Sequence, residues 1–335
     1  MSLRTLFGMF TLLLATAIVV TRSARSEEDK PQIAELELTA NSKLIFADEK
    51  AGREILTADD DFSRRLSRFD LQSRLKSDRE VTRDDWRKQI AEQVTAWPAE
   101  EKERIKKAVD SLRPKLAAFR LPLPKAVLLI RTTGQEEAEA AYTRANAIAL
   151  PAAKLRHPQG ALEALLAHEL FHVMSRHDAT VRAALYKIVG FSLGDEVQLP
   201  KSLDDRRITN PDAPKVDCYI TLKNDNQEVT AVPLLYATPE QYVAKTGRQF
   251  FDYITFRLLV VDKVNGKWQP RMKDQQPVVL DPKKVEHFYD QVGKNTTYIW
   301  HPDEILADNF VHLVNKRQKL ETPRVTEAMA EVLKP

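Results

Sequence analysis

The chain has 335 residues, 43% of them hydrophobic and 30% charged, a balance that supplies a buried core and excludes a disordered polyelectrolyte. Its formal net charge is +3, and Arg4, Arg22 and Arg25 carry that whole excess, so the rest offers no basic footprint for nucleic acid. The single cysteine, Cys218, excludes an internal disulfide and reads as a buried free thiol in an alternating stretch, not as a nucleophile.

At the start, Arg4 precedes an uncharged apolar run from Thr5 to Val20, and Ala24-Arg25-Ser26 has small residues at cleavage-site spacing. Residues 1–26 are therefore expected to be a secretory signal peptide, with an uncleaved membrane anchor as the alternative. Either reading places the rest outside the cytoplasm: secreted, periplasmic or held at a membrane by this segment alone. Residues 27–122 read as a strand (Ala34 to Thr39, with β character again at Lys43 to Phe46) followed by a mostly helical region. In that region Leu66, Phe69, Leu75, Trp86, Ile90, Val94, Ile105, Val109 and Leu112 fall at helical spacing. The prolines near 122 mark the expected boundary with a second part, residues 123–335.

That second part opens with a strand at Val127 to Thr133 and another read as Tyr142 to Leu150. A helix then runs through Gly160 to Met174 and carries His168-Glu169-Leu170-Phe171-His172. Histidines four apart lie one above the other on a helix, so both imidazoles reach one ion. Zinc takes neutral imidazole nitrogens, and a glutamate on the adjoining face can take a proton from water without becoming a ligand. The helix is apolar on most sides, and burying two histidines and a glutamate there is costly unless they are paired or metal-bound. His168 and His172 are thus candidate Zn2+ ligands, and Glu169 is the candidate general base.

A β-rich insertion is expected at about 195–280, with strands at Val216–Leu222, Val229–Tyr236 and Tyr253–Val261, and it reads as a cleft wall, a lid or a surface subdomain. Helices follow at Pro282–Val292, from Pro302, and at Pro323–Leu333. The elements together predict an α+β fold. The helix beginning at Pro302 offers Glu304 as a third ligand, with Asp308 one turn later on the same face, where it can accept the second ring N–H of a liganding histidine. The rival third ligand is Asp178, six residues after His172.

His-Glu-x-x-His followed downstream by a helix with Glu304 and Asp308 resembles the gluzincin arm of the zincin metallopeptidases. The resemblance covers these two short segments. It implies that His168, His172 and Glu304 bind zinc, that Glu169 is the general base, and that Asp308 orients a zinc-bound histidine. It also implies a zincin-like domain, a mixed sheet whose edge strand lies over the active-site helix, and hydrolysis of a peptide or protein substrate through a zinc-activated water. Asp178 resembles the metzincin third-ligand offset, but Ser175 stands where that pattern has the turn glycine. The strand ahead of the metal helix resembles the substrate-binding strand, which would put Asn146 and Ala147 beside the substrate backbone. Tyr298 and His301 are the nearest candidates for the oxyanion donor that zincins commonly have. Alternatives are a non-catalytic zincin-like binding or scaffold protein, and a hydrolase of a non-peptide amide such as a cell-wall bond. No cysteine precedes residue 122, so latency through a thiol ligand is not available there.

Overall fold

Leu36 and Leu38 turn inward and Glu35 and Glu37 outward along β1 (Glu35–Thr39), which pairs antiparallel with β2 (Ser42–Phe46). The computed structural model describes residues 34–335 except 225 and 226, so the expected signal segment lies outside the described residues. The charged stretch that follows breaks into α1 (Glu49–Leu56), α2 (Asp61–Arg65), α3 (Arg68–Arg74), α4 (Arg83–Gln93) and α5 (Ala99–Leu116). Asp60, Ser67 and Thr82 start three of these helices with capping boxes, satisfying backbone N–H groups that a helix start leaves open.

β3 (Ala126–Thr132), β4 (Tyr142–Arg144) and β5 (Ala147–Pro151) complete a five-stranded sheet in the order β1-β2-β3-β5-β4. β2, β3 and β5 run parallel, and short antiparallel strands close both edges. β5 is buried throughout because its residues alternate in size: Ile148 and Leu150 enter the main core with α5, and Ala147 and Ala149 face Leu56, Trp86 and Ile90 of α1 and α4. Residues on both sides of position 122 therefore share one sheet, and the expected boundary there does not separate two cores. The strand read as Tyr142 to Leu150 is in fact two, because Ala145 takes a left-handed φ of 50° and turns the chain back.

The remainder holds α6 (Gln159–His177), α7 (Ala179–Ile188), β6 (Phe191–Leu193), α8 (Lys201–Asp204), β7 (Cys218–Asn224), β8 (Gln227–Ala237), β9 (Ile254–Val264) and β10 (Lys267–Pro270). A small hairpin of β11 (Met272–Lys273) and β12 (Gln276–Pro277) leads to β13 (Val279–Leu280). α9 (Phe288–Val292), α10 (Pro302–Val314) and α11 (Pro323–Val332) finish the chain. β6 to β10 form a second, antiparallel sheet in the order β10-β9-β8-β7-β6, with β13 paired to β9. Gly190 makes the turn from α7 into β6 at φ 81°, where a Cβ would collide with the Gln291 side chain. The helix expected over Pro282–Val292 is shorter, since His287 adopts φ 62° immediately before α9. The architecture is mixed α+β. No helix among the described residues is long and apolar enough to cross a membrane.

Candidate metal centre

α6 is apolar on most sides, and its Leu162, Leu166, Leu170, Phe171, Val173 and Met174 all enter the main core. α10 packs directly against it through Ile305, Leu306 and Phe310, and the Phe171 and Phe310 rings lie 5.8 Å apart. That contact fixes the register of the two helices. It brings the first turn of α10 opposite the two histidines, although about 130 positions separate them in the chain.

His168 and His172 turn their Nε2 atoms toward one carboxylate oxygen, Glu304 Oε2, at 3.3 and 3.4 Å. Ligand atoms of the three residues lie within 4.8 Å of one another. A tetrahedral zinc with bonds near 2.0–2.1 Å separates its ligand atoms by about 3.3 Å, so this donor set fits the ion in chemistry and spacing. Glu304 is 1% exposed. Burial opposes its ionisation, but His172 and His168 outweigh that and hold its carboxyl well below the usual range.

The other nitrogen of each ring is held by a second carboxylate. Asp308 Oδ1 lies 3.0 Å from His168 Nδ1, and the Thr296 hydroxyl donates to its second oxygen. Asp303 Oδ2 lies 2.6 Å from His172 Nδ1, and its Oδ1 accepts from Ser175 Oγ at 2.5 Å and the Tyr186 hydroxyl at 2.8 Å. Each pairing puts the ring proton on Nδ1 and leaves Nε2 free for a cation. Without a cation, burial opposes the charge of His168, but Asp308 and Glu304 outweigh it and raise its pKa to about 10. Asn210 Nδ2 donates to Glu304 Oε1 at 2.6 Å, committing that oxygen and leaving Oε2 to face the two histidines.

Glu169 is 3% exposed, and its Oε2 has no hydrogen-bond partner. Burial, reinforced by the nearby Asp212 carboxylate, pushes its pKa up to about 8. An oxygen of Glu169, one of Asp212 and a ring nitrogen of His172 again lie within 4.8 Å of one another. The Tyr298 ring stacks on His168, with centroids 6.3 Å apart and planes 7° apart. Its hydroxyl pKa is raised well above 10, first by burial and then by Glu304, Asp212 and Glu169, so it stays protonated and able to donate.

Other sequence-predicted residues are not brought to this cluster. Asp178 caps the start of α7, with one oxygen accepting from the N–H groups of Thr180 and Val181 at 2.9 Å, which corrects its candidacy as third ligand. His301 is the N-cap of α10: its Nδ1 accepts from Asp303 N–H at 3.2 Å, and its Nε2 lies 2.9 Å from Cys218 Sγ. Neither ring nitrogen is free for a substrate oxyanion, and burial lowers the pKa so that the ring stays neutral. Asn146 and Ala147 are likewise corrected as substrate contacts. Ala147 sits in β5, paired on both sides, and the Asn146 side chain donates to Ala126 O at 2.8 Å. The edge strand is β4.

Asp303, Asn210 and Asp212 escaped the sequence reading. Asp303 suits the positive end of a helix dipole like any acid in a first turn, and 204–214 reads only as a polar stretch, so no local pattern singles these residues out. Comparison with known protein families, with curated proteins and with solved structures returned no match.

Proposed function

We propose that this chain is a zinc-dependent metallopeptidase, gluzincin-like in its ligand order and zincin-like in fold, acting on a peptide or protein substrate outside the cytoplasm. The observation that carries this reading is the pairing of a zinc-spaced triad, His168, His172 and Glu304, with a buried carboxylate oxygen of Glu169 that has no partner. A binding or scaffold domain has no use for that fourth group. A short antiparallel edge strand beside the ligand helix supports the fold analogy, since β4 packs against α6.

A bound zinc would supply Lewis acidity and bring the pKa of water toward neutrality. His168, His172 and Glu304 would hold it. Asp308, Asp303 and Asn210 set which atom of each ligand faces inward. Glu169, buried beside the triad with one oxygen unpartnered, is placed to accept a proton from water and return it to a leaving amine. Tyr298 remains protonated and supplies an O–H donor beside the triad.

Substitution Glu169→Gln tests the assignment. It should leave zinc content by elemental analysis unchanged and lower turnover of a fluorogenic peptide library by about 10²–10⁴-fold. Equal behaviour of wild type and variant on every peptide would sink the proposal.

A further inference from the structure

The segment joining α8 to β7 crosses the face of the triad and is anchored at both ends. At one end Thr209 donates its N–H and hydroxyl to Asp70, the hydroxyl at 2.7 Å, and Arg74 donates to Thr209 O at 3.1 Å. Asp70, Arg74 and Glu137 are all buried and ion-paired, so this is a rigid mount. At the other end Val197 N–H donates to Val216 O at 2.9 Å.

Between the mounts, Lys215 pairs with Asp61 at 2.9 Å, and the contacts of Asn210 and Asp212 reach the candidate site and β4. Asn210 holds Glu304, and its Oδ1 accepts from Asp212 N–H at 2.9 Å. Asp212 Oδ1 accepts from Thr143 N–H at 2.7 Å and from the Thr143 hydroxyl at 2.6 Å. Arg176 of α6 donates to Asp212 O at 2.9 Å and to Pro211 O at 3.4 Å. Thr143 is the middle residue of edge strand β4, and its outward N–H is the group that an added extended peptide would need. The same Asp212 carboxylate stands beside Glu169 and His172. An adjoining cavity of about 310 Å³ has Asp212 and Pro214 in its wall, and neither His168, His172 nor Glu169 lines it.

We propose that residues 211–214 are a pseudosubstrate strap: they fill the path between β4 and the triad, with Asp212 standing at the reacting position, so that this conformation is latent. The inference rests on the metallopeptidase reading. The strap takes the edge-strand amide with a side chain where a substrate would use its backbone. It separates the cavity from the metal face, and substrate entry requires it to swing out between Asn210, which stays on Glu304, and Val216.

The test uses full-length protein loaded with Co²⁺ and titrated with acetohydroxamate, followed by the visible spectrum of the cobalt. Asp212→Ala should bind the hydroxamate at least tenfold tighter than wild type. Arg176→Gln, which releases the Pro211 and Asp212 carbonyls and keeps the Asp212 side chain, should shift affinity the same way and decides the matter if the first variant does not fold. Cobalt uptake with unchanged or weaker hydroxamate binding in the variants overturns the strap and leaves the metallopeptidase reading standing. Failure of wild type to take up cobalt brings down that reading, and the strap with it.

Discussion

Asp303 holds His172 from behind, its Oδ2 2.6 Å from Nδ1, while the next residue along the chain, Glu304, faces Nε2 of the same ring at 3.4 Å. One helical turn thus supplies both a candidate ligand and the group that orients another. Asp303→Asn should weaken zinc binding by about 10–100-fold in competition against a chromophoric chelator. The loss should exceed that of Asp308→Asn, because the Asp303 side chain is 3% exposed and that of Asp308 is 32%. Equal losses would mean that burial does not set the strength of these contacts.

Tyr298 packs flat on His168, so removing only its hydroxyl leaves the stack intact. Tyr298→Phe is expected to keep zinc and KM near wild type while kcat falls by about 10²–10³-fold, the usual cost of an oxyanion donor. A rise in KM at constant kcat would assign the hydroxyl to substrate binding instead.

Glu136 lies away from the triad, 1% exposed, with Oε2 unpartnered and Oε1 3.4 Å from the Tyr142 hydroxyl. Burial raises its pKa from 4.5 to about 7, partly offset by the Thr132 hydroxyl. An acid with a raised folded pKa binds more protons folded than unfolded, so its ionisation costs stability as pH rises from about 4.5 to 7. Glu136→Gln should therefore match wild type near pH 4.5 and exceed it by up to about 3 kcal/mol at pH 8 in urea unfolding. A gain that does not vary with pH would contradict this origin.

Local spacing made His168, Glu169 and His172, and separately Glu304 and Asp308, readable, since each set lies within two turns of one helix. Their meeting depends on α6 packing against α10, which spacing cannot express. Asn210 and Asp212 reach the cluster only because Thr209 is mounted on Asp70 and Arg74, from an element far earlier in the chain. The misplaced substrate strand has a local cause: the turn at Ala145 uses a left-handed alanine, where glycine or asparagine would have announced it. The α+β class followed from alternating and helical periods, but the sharing of one sheet across position 122 rests on the parallel pairing of β2 with β3.

His301 fastens the start of α10 through one ring nitrogen and reaches Cys218 of β7 through the other. Two of the three candidate ligands ride on a single stiff helix, whereas the third is mounted on a part indexed to the second sheet. The position of Glu304 thus depends on β7 through His301 as well as on the packing of α10 against α6.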